Sequence, residues 1–500
     1  MRSIHVLIAV AWLFIGNINQ VKADNPSKES NMSAVEISFT PQITAPDLQI
    51  KRLTAVSVKD SILFTLTYSS QKDRFLSFFN PPQGNMLKYI DRNGIKKNDT
   101  LTTFYIKKDI FKSVDEITMR FSTNENEESD RNFIFLDVFE PSTIKLLGIT
   151  PKKSNYSDFS SHFSKNITSF KEFQDVRWGN LIAIEDTLTY EKITTLNYNK
   201  DSKFGKHIAD AEQIMEKGKN PGLGVRSLHK QGITGKGVRV AIIDQNLPGK
   251  HPEYKNKIVK YKDVGCKRPQ YKGSMHGPGV LSLLAGETIG TAPSAQIYFA
   301  AAPSWTADAK YQADALNWII EENRLLPKEN KIKVVSISAA PSGTGSPFKK
   351  NNNLWDEAVK IAEQEGIIVL DCTKDHGFID PCYYDMNNPD DAKKCKVGWP
   401  DKVVNDSLKF PLNKIFAPCS GRTVAEEYIE GTNSYQYDGE GGLSWSIPYV
   451  AGVMAMGWQI KPDISGAEMV TILLQTASTN FQGYKIIDPV GFIKYLQQMK

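Results

Sequence analysis

Hydrophobic and polar positions follow different rules in the two halves of the chain. From about residue 35 to 150 the period is two. In "SILFTLTYSS", Ile62, Phe64, Leu66 and Tyr68 alternate with Leu63, Thr65, Thr67 and Ser69. In "EITMRFST", Ile117, Met119 and Phe121 alternate with Thr118 and Arg120. "NFIFLDVFE" reads as a further strand after the acidic loop "NENEESDR". Such alternation turns one face of each strand toward a core. "NPPQGN" and "DRNG" are turn material. The segment 24–150 is therefore expected to be a β-rich domain of antiparallel, sandwich type, loose over its first residues. It carries no catalytic cluster.

Residues 151–225 are rich in Ser, Asn and Lys with scattered aromatics, and only "HIADAEQIMEKG" has a helical pattern. They read as a connecting region. From 226 to 500 strands and helices alternate. "GKGVRVAIID", "AQIYFAAAP", "KIKVVSISAA" and "IIVLDC" are apolar throughout. Between them lie the helical patterns "HGPGVLSLLAG", "AKYQADALNWIIEENR" and "NLWDEAVKIAEQEG". Apolar strands separated by helices predict an α/β domain, a parallel sheet with helices on both faces. Sites in such sheets gather at the carboxyl ends of the strands.

Three residues stand at such ends. Asp244 closes "VRVAIID", His276 opens "HGPGV", and Ser444 stands at the head of "SIPYVAGVMAMGW" with Pro448 in the first turn. Alone, each is ordinary: a turn aspartate, a capping histidine, an N-cap serine. Their order and shared position at strand-to-helix junctions set them apart.

Composition narrows the rest. Five hundred residues predict more than one core. A net charge of +5 without a basic stripe is no nucleic-acid signature. Residues 1–23 read as a signal peptide: Arg2, the apolar run "VLIAVAWLFIG", and small residues before a cut after Ala23. That run is too short to span a bilayer, so the mature chain is expected outside the cytoplasm, secreted or in the periplasm or at the cell surface, without a membrane partner. The cysteines, Cys266, Cys372, Cys382, Cys395 and Cys419, match no common zinc spacing, and their pairing is open.

The chain from about 224 onward resembles the subtilisin-like serine proteases. "VAIIDQN", "HGPGVLSLLAG" and "GLSWSIPYVAG" follow that family's ordered motifs, and "HPEY" and the late helix "KPDISGAEMVTILLQTA" add to the likeness. The resemblance implies a secreted serine endopeptidase with Ser444 as nucleophile, His276 as general base and Asp244 orienting the imidazole. It implies a prosegment, for which part of 151–225 is a candidate, and a peptide or protein substrate pairing with Ser338, Ala339 and Ala340 as an added strand. It implies no catalytic cofactor or metal. Structural calcium is known in the family, but the acidic stretch "CYYDMNNPDDAKKC" lacks EF-hand spacing.

Several positions depart from the family pattern. Leu443 precedes the serine in place of Thr, and Trp445 and Ser446 follow it in place of Met and Ala. Pro278 and Gly279 follow His-Gly in place of Thr-His. In the oxyanion hole the backbone N–H of Ser444 is retained, but the family's Asn aligns with Asp375. A carboxylate donates nothing, and loss of such a donor costs about 3 kcal/mol. A protonated Asp375 could donate, which implies activity favouring acidic pH. The alternative is a pseudoprotease that keeps the fold as a binding or regulatory protein. A third reading, an adhesin-like β protein with a passive α/β domain, places ligand binding in residues 24–150.

Overall fold

The computed structural model describes residues 34–43, 45–80, 85–112, 117–123, 132–136, 138, 141–150, 165–249, 251–266, 275–373, 377–400, 413–428 and 432–499. The export signal expected at 1–23, the acidic loop 124–131 and Asp375 lie outside these residues.

Within 34–150 the strands form two antiparallel sheets. One runs Val35–Glu36, Leu48–Val58, Ser61–Ser70, Leu101–Lys107; the other runs Phe39–Gln42, Phe133–Leu136, Ile117–Ser122, Arg74–Asn80, Asn85–Ile95. The alternation in "SILFTLTYSS" becomes alternation of burial, with Ile62, Phe64, Leu66 and Tyr68 inside. Phe104 stacks on Phe64 at 5.3 Å within its own sheet and meets Phe78 of the other sheet at 5.0 Å. "DRNG", expected as a turn, instead lies inside the strand Asn85–Ile95. There the register slips: Arg74 pairs with Ile95 but Leu76 with Asp91, so the extra residues bulge. Gly94 permits this, at φ +40° with Arg74 O only 2.0 Å from where a Cβ would sit.

The later half is built on a five-stranded parallel sheet. Arg239–Asp244 lies in the middle, between Gln296–Ala301 and Ile332–Ile337, with Ile258–Asp263 and Ile368–Leu370 at the edges. The central strand is apolar on both faces because each face meets helices. Val240 and Ile242 pack with residues of His276–Ala285 and Leu443–Ile460. Ala241 and Ile243 pack with residues of Lys310–Leu325 and Asn352–Gln364. The chain leaves the central strand first to one side and later to the other, so Asp244 stands at the switch point of the sheet. A second sheet runs Lys396–Val397, Ile379–Tyr383, Ile415–Pro418, Lys485–Ile486, Ser478–Thr479.

The stretch read as connecting material is described from residue 165, and it is woven into the later half. Asn197–Asn199 pairs antiparallel with Ser434–Asp438, which pairs in turn with Arg422–Glu426. Tyr198 is buried between Phe204 and Tyr437, and its hydroxyl donates to Ala211 O at 2.6 Å. Among the described residues no helix is long and apolar enough to cross a membrane.

Candidate active site

Asp244 is the last residue of the central strand. Its Oδ1 accepts the Gln245 N–H at 2.8 Å and meets Nδ1 of His276 at 2.7 Å. His276 is the first residue of its helix, after the N-cap Met275, and its ring is turned to the aspartate. Gly277 makes this approach possible, since a Cβ there would lie 2.2 Å from Gln245 O. An ionised carboxylate accepts only, so the Nδ1–H donates and Nε2 is left with its lone pair. The Asp244 side chain is 4% exposed and that of His276 27% exposed. Burial alone would push the imidazole's pKa down. The charge and hydrogen bond of Asp244, with a further contribution from Asp438, outweigh that and hold it above the ordinary histidine value.

Ser444 is the second residue of the helix Leu443–Ile460. The N-cap is Gly442, in extended backbone, so the serine does not cap the helix. Its position leaves its N–H among the first four of the helix, which have no partner within it. The helix is buried from Trp445 to Trp458, and glycines let neighbours approach: a Cβ on Gly452 would meet Thr291, one on Gly457 would meet Phe492. Pro448 lies beyond the expected first turn, inside the helix. Lacking an N–H, it cannot bond the carbonyl four residues earlier, which is that of Ser444. The Ser338 hydroxyl fills the gap, donating to Ser444 O at 2.8 Å. In return Ser444 Oγ donates to Ser338 O at 3.4 Å.

Ser338 follows the strand Ile332–Ile337 and lines one small cavity with Asp244, His276 and Ala339. The Ala339 carbonyl accepts from Cys372 N at 2.9 Å, and that of Ala340 from Ser346 Oγ at 2.6 Å. The start of the loop that carries Asp375 therefore runs beside Ser338–Ala340. Trp445, next after Ser444, stacks on the His276 ring with centroids 5.4 Å apart. The start of the serine's helix thus rests against the imidazole.

The sequence did not disclose Trp445 or Asp438 as parts of this site. Asp438 ends its strand 7% exposed and accepts the Trp445 indole N–H at 2.8 Å. Burial raises its pKa, against the hydrogen bonds from Gly441 and Trp445. No motif marks it; only its distance from the serine in the chain, a few residues, was a signal.

In the acidic loop considered for calcium the carboxylates accept hydrogen bonds from nearby amides. Asp385 accepts from Asn387 N and Asn388 Nδ2, Asp390 from Gly224 N, and Asp391 from Lys393 N. Among the described residues no group of three or more His, Cys, Asp or Glu could hold a metal ion.

Residues 235–400 match the family model described as the Subtilase family. Subtilisin-like protease PopC of Myxococcus xanthus (strain DK1622) is 22% identical over 282 residues, covering 51% of this chain and 58% of PopC. Subtilisin NAT of Bacillus subtilis subsp. natto is 25% identical over 268 residues, covering 50% of this chain and 63% of its own length. The chain thus spans under two thirds of either relative. Among solved structures, fervidolysin from Fervidobacterium pennivorans, described as a keratinolytic enzyme related to subtilisin, is similar at 15% identity. It aligns with a TM-score of 0.41 over 54% of this chain and 44% of its own.

Proposed function

Because residues 235–400 are of the subtilase family, we propose that this protein is a secreted serine endopeptidase that cleaves peptide bonds through an acyl-enzyme. Ser444 Oγ attacks the substrate carbonyl carbon while Nε2 of His276 takes its proton. The C–N bond then breaks, and the same proton passes to the leaving amine. A water deprotonated by His276 releases the acyl group and restores Ser444. Asp244 holds the ring in the tautomer this requires and stabilises the imidazolium.

The Ser444 N–H, at the positive end of a long helix, faces the developing oxyanion. Asp375 is the proposed second oxyanion position, and Ser338, Ala339 and Ala340 the edge that receives the substrate backbone. The reaction needs no cofactor or metal.

The observation that carries this reading is the 2.7 Å contact of Asp244 with His276 Nδ1, beside the helix that bears Ser444. A fluorophosphonate probe tests it. Labelling of the purified protein should occur and should vanish in Ser444→Ala, together with cleavage of an unfolded protein substrate. A folded protein that takes no label would instead be the pseudoprotease that Asp375 suggests.

A further inference from the structure

We propose that Trp445 and Asp438 form a second support for His276, holding the imidazole by its face while Asp244 holds it by its edge. The proposal rests on the endopeptidase reading and adds two positioning residues to it. The indole and imidazole planes are 28° apart, with centroids at 5.4 Å, an offset stack. The indole is itself fixed. Its N–H donates to Asp438 Oδ2 at 2.8 Å, and Asp438 Oδ1 accepts the Gly441 N–H at 2.8 Å. One buried carboxylate thus ties down the loop before Ser444 and the ring after it. Gly441 takes φ +72°, and a Cβ there would lie 1.8 Å from Cys419 O, so this loop closes only with glycine.

The indole also needs room on the histidine's helix. A Cβ on Gly279 would lie 3.0 Å from Cη2 and 3.2 Å from Cζ3 of Trp445. Gly279 and Trp445 both depart from the subtilase pattern, and the structure gives the two departures one cause. The larger side chain after the nucleophile occupies the space that a side chain at 279 would take.

The stack serves the chemistry because His276 changes charge during it. A cation over an indole face is favoured by the ring's quadrupole. The support therefore strengthens as His276 takes the serine proton. The acidic groups whose charge reaches His276 are Asp244 from the central strand and Asp438 from the strand before the serine.

Two readouts test this. The first is tryptophan emission against pH. An imidazolium stacked on an indole quenches it, so the protein should show an emission step as His276 protonates. The step should be absent in Trp445→Phe and in His276→Ala, and in Asp438→Asn it should persist but move to lower pH. The second is kinetic. Trp445→Met should lower kcat about 10- to 100-fold, as expected for a misplaced base, with KM within about twofold. Its acid limb should move to lower pH. An emission step that survives His276→Ala, or a Trp445→Met enzyme with unchanged kcat and acid limb, would overturn the proposal. The emission step needs no turnover, so it reports the stack even if Ser444 takes no label. Labelling without the step removes this support and leaves the endopeptidase reading standing.

Discussion

His276 is pulled two ways, by burial toward the neutral form and by Asp244 and Asp438 toward the charged one, and the carboxylates prevail. The sign of the consequence is fixed. A general base must be neutral, so kcat/KM should fall as pH drops through a value above that of a free histidine. The same raised value stabilises the fold below the unfolded histidine's pKa, and that contribution is lost as pH rises through the folded one. On the proposed role of His276, activity and stability should therefore move in opposite directions with pH. This limb also opposes the acid preference read from Asp375, because a protonated Asp375 and a neutral His276 call for opposite ends of the scale. A pH profile of kcat/KM checks it; a limb at or below the free-histidine value would show that burial, not Asp244, governs the ring. At this scale the positions of three residues were legible: Asp244 ends its strand, His276 opens its helix and Ser444 stands in the first turn of its own. The sequence was silent on Ser338 as the partner of the Ser444 carbonyl. That bond exists because Pro448 withholds an N–H, and the replacement donor lies over a hundred residues away.

The hairpin Arg422–Glu426 and Ser434–Asp438 delivers Asp438 to the site, and it is anchored from outside by Asn197–Asn199. Glu426 is the electrostatic centre of that anchor. Asn199 Nδ2 donates to it at 3.1 Å and Ser434 Oγ at 3.3 Å, and Arg177 Nη1 lies 3.9 Å away. Burial is the largest influence and pushes its carboxyl up to about 7, against the pull of Arg177 and the two donors. A carboxyl raised on folding keeps a proton that the unfolded chain has lost. Stability should therefore fall as pH rises from the ordinary glutamate value to about 7, by on the order of 3 kcal/mol. Glu426→Gln should remove that slope, measured as urea midpoints at pH 5 and pH 8. A variant whose midpoint changes with pH as much as the native chain's would place the charge elsewhere. Elements with a strong local period were readable beforehand: the strand Arg239–Asp244 and the helices Lys310–Leu325 and Asn352–Gln364 lie where the pattern placed them. "DRNG" was not, because a bulge and a turn use the same residues and only strand pairing separates them. Nor was Asn197–Asn199, three residues whose strand pairing is with Ser434–Asp438, more than two hundred positions on, and with Asp175 by a bridge.

Across the whole molecule, the site draws on parts of the chain far apart in sequence. Asp244 comes from the sheet's central strand, His276 from the helix that follows, and Ser444 from a buried helix near the far end. Residues from 165 onward are built into the same half, through Tyr198 and Arg177, which bonds Tyr428 and Gln436. The order of motifs made the α/β half readable as subtilisin-like, whereas the packing of 165–225 against it left one periodic trace, "HIADAEQIMEKG", which forms the helix Ile208–Gly218. The central claim is that Asp244, His276 and Ser444 work as one unit. The rate of fluorophosphonate modification at Ser444 tests it most directly, compared among the native chain, Asp244→Ala, His276→Ala and the variant carrying both. A unit predicts that His276→Ala slows labelling by about 1000-fold or more and that adding Asp244→Ala costs little further. Equal rates in all four proteins, or a label found on a residue other than Ser444, would contradict it.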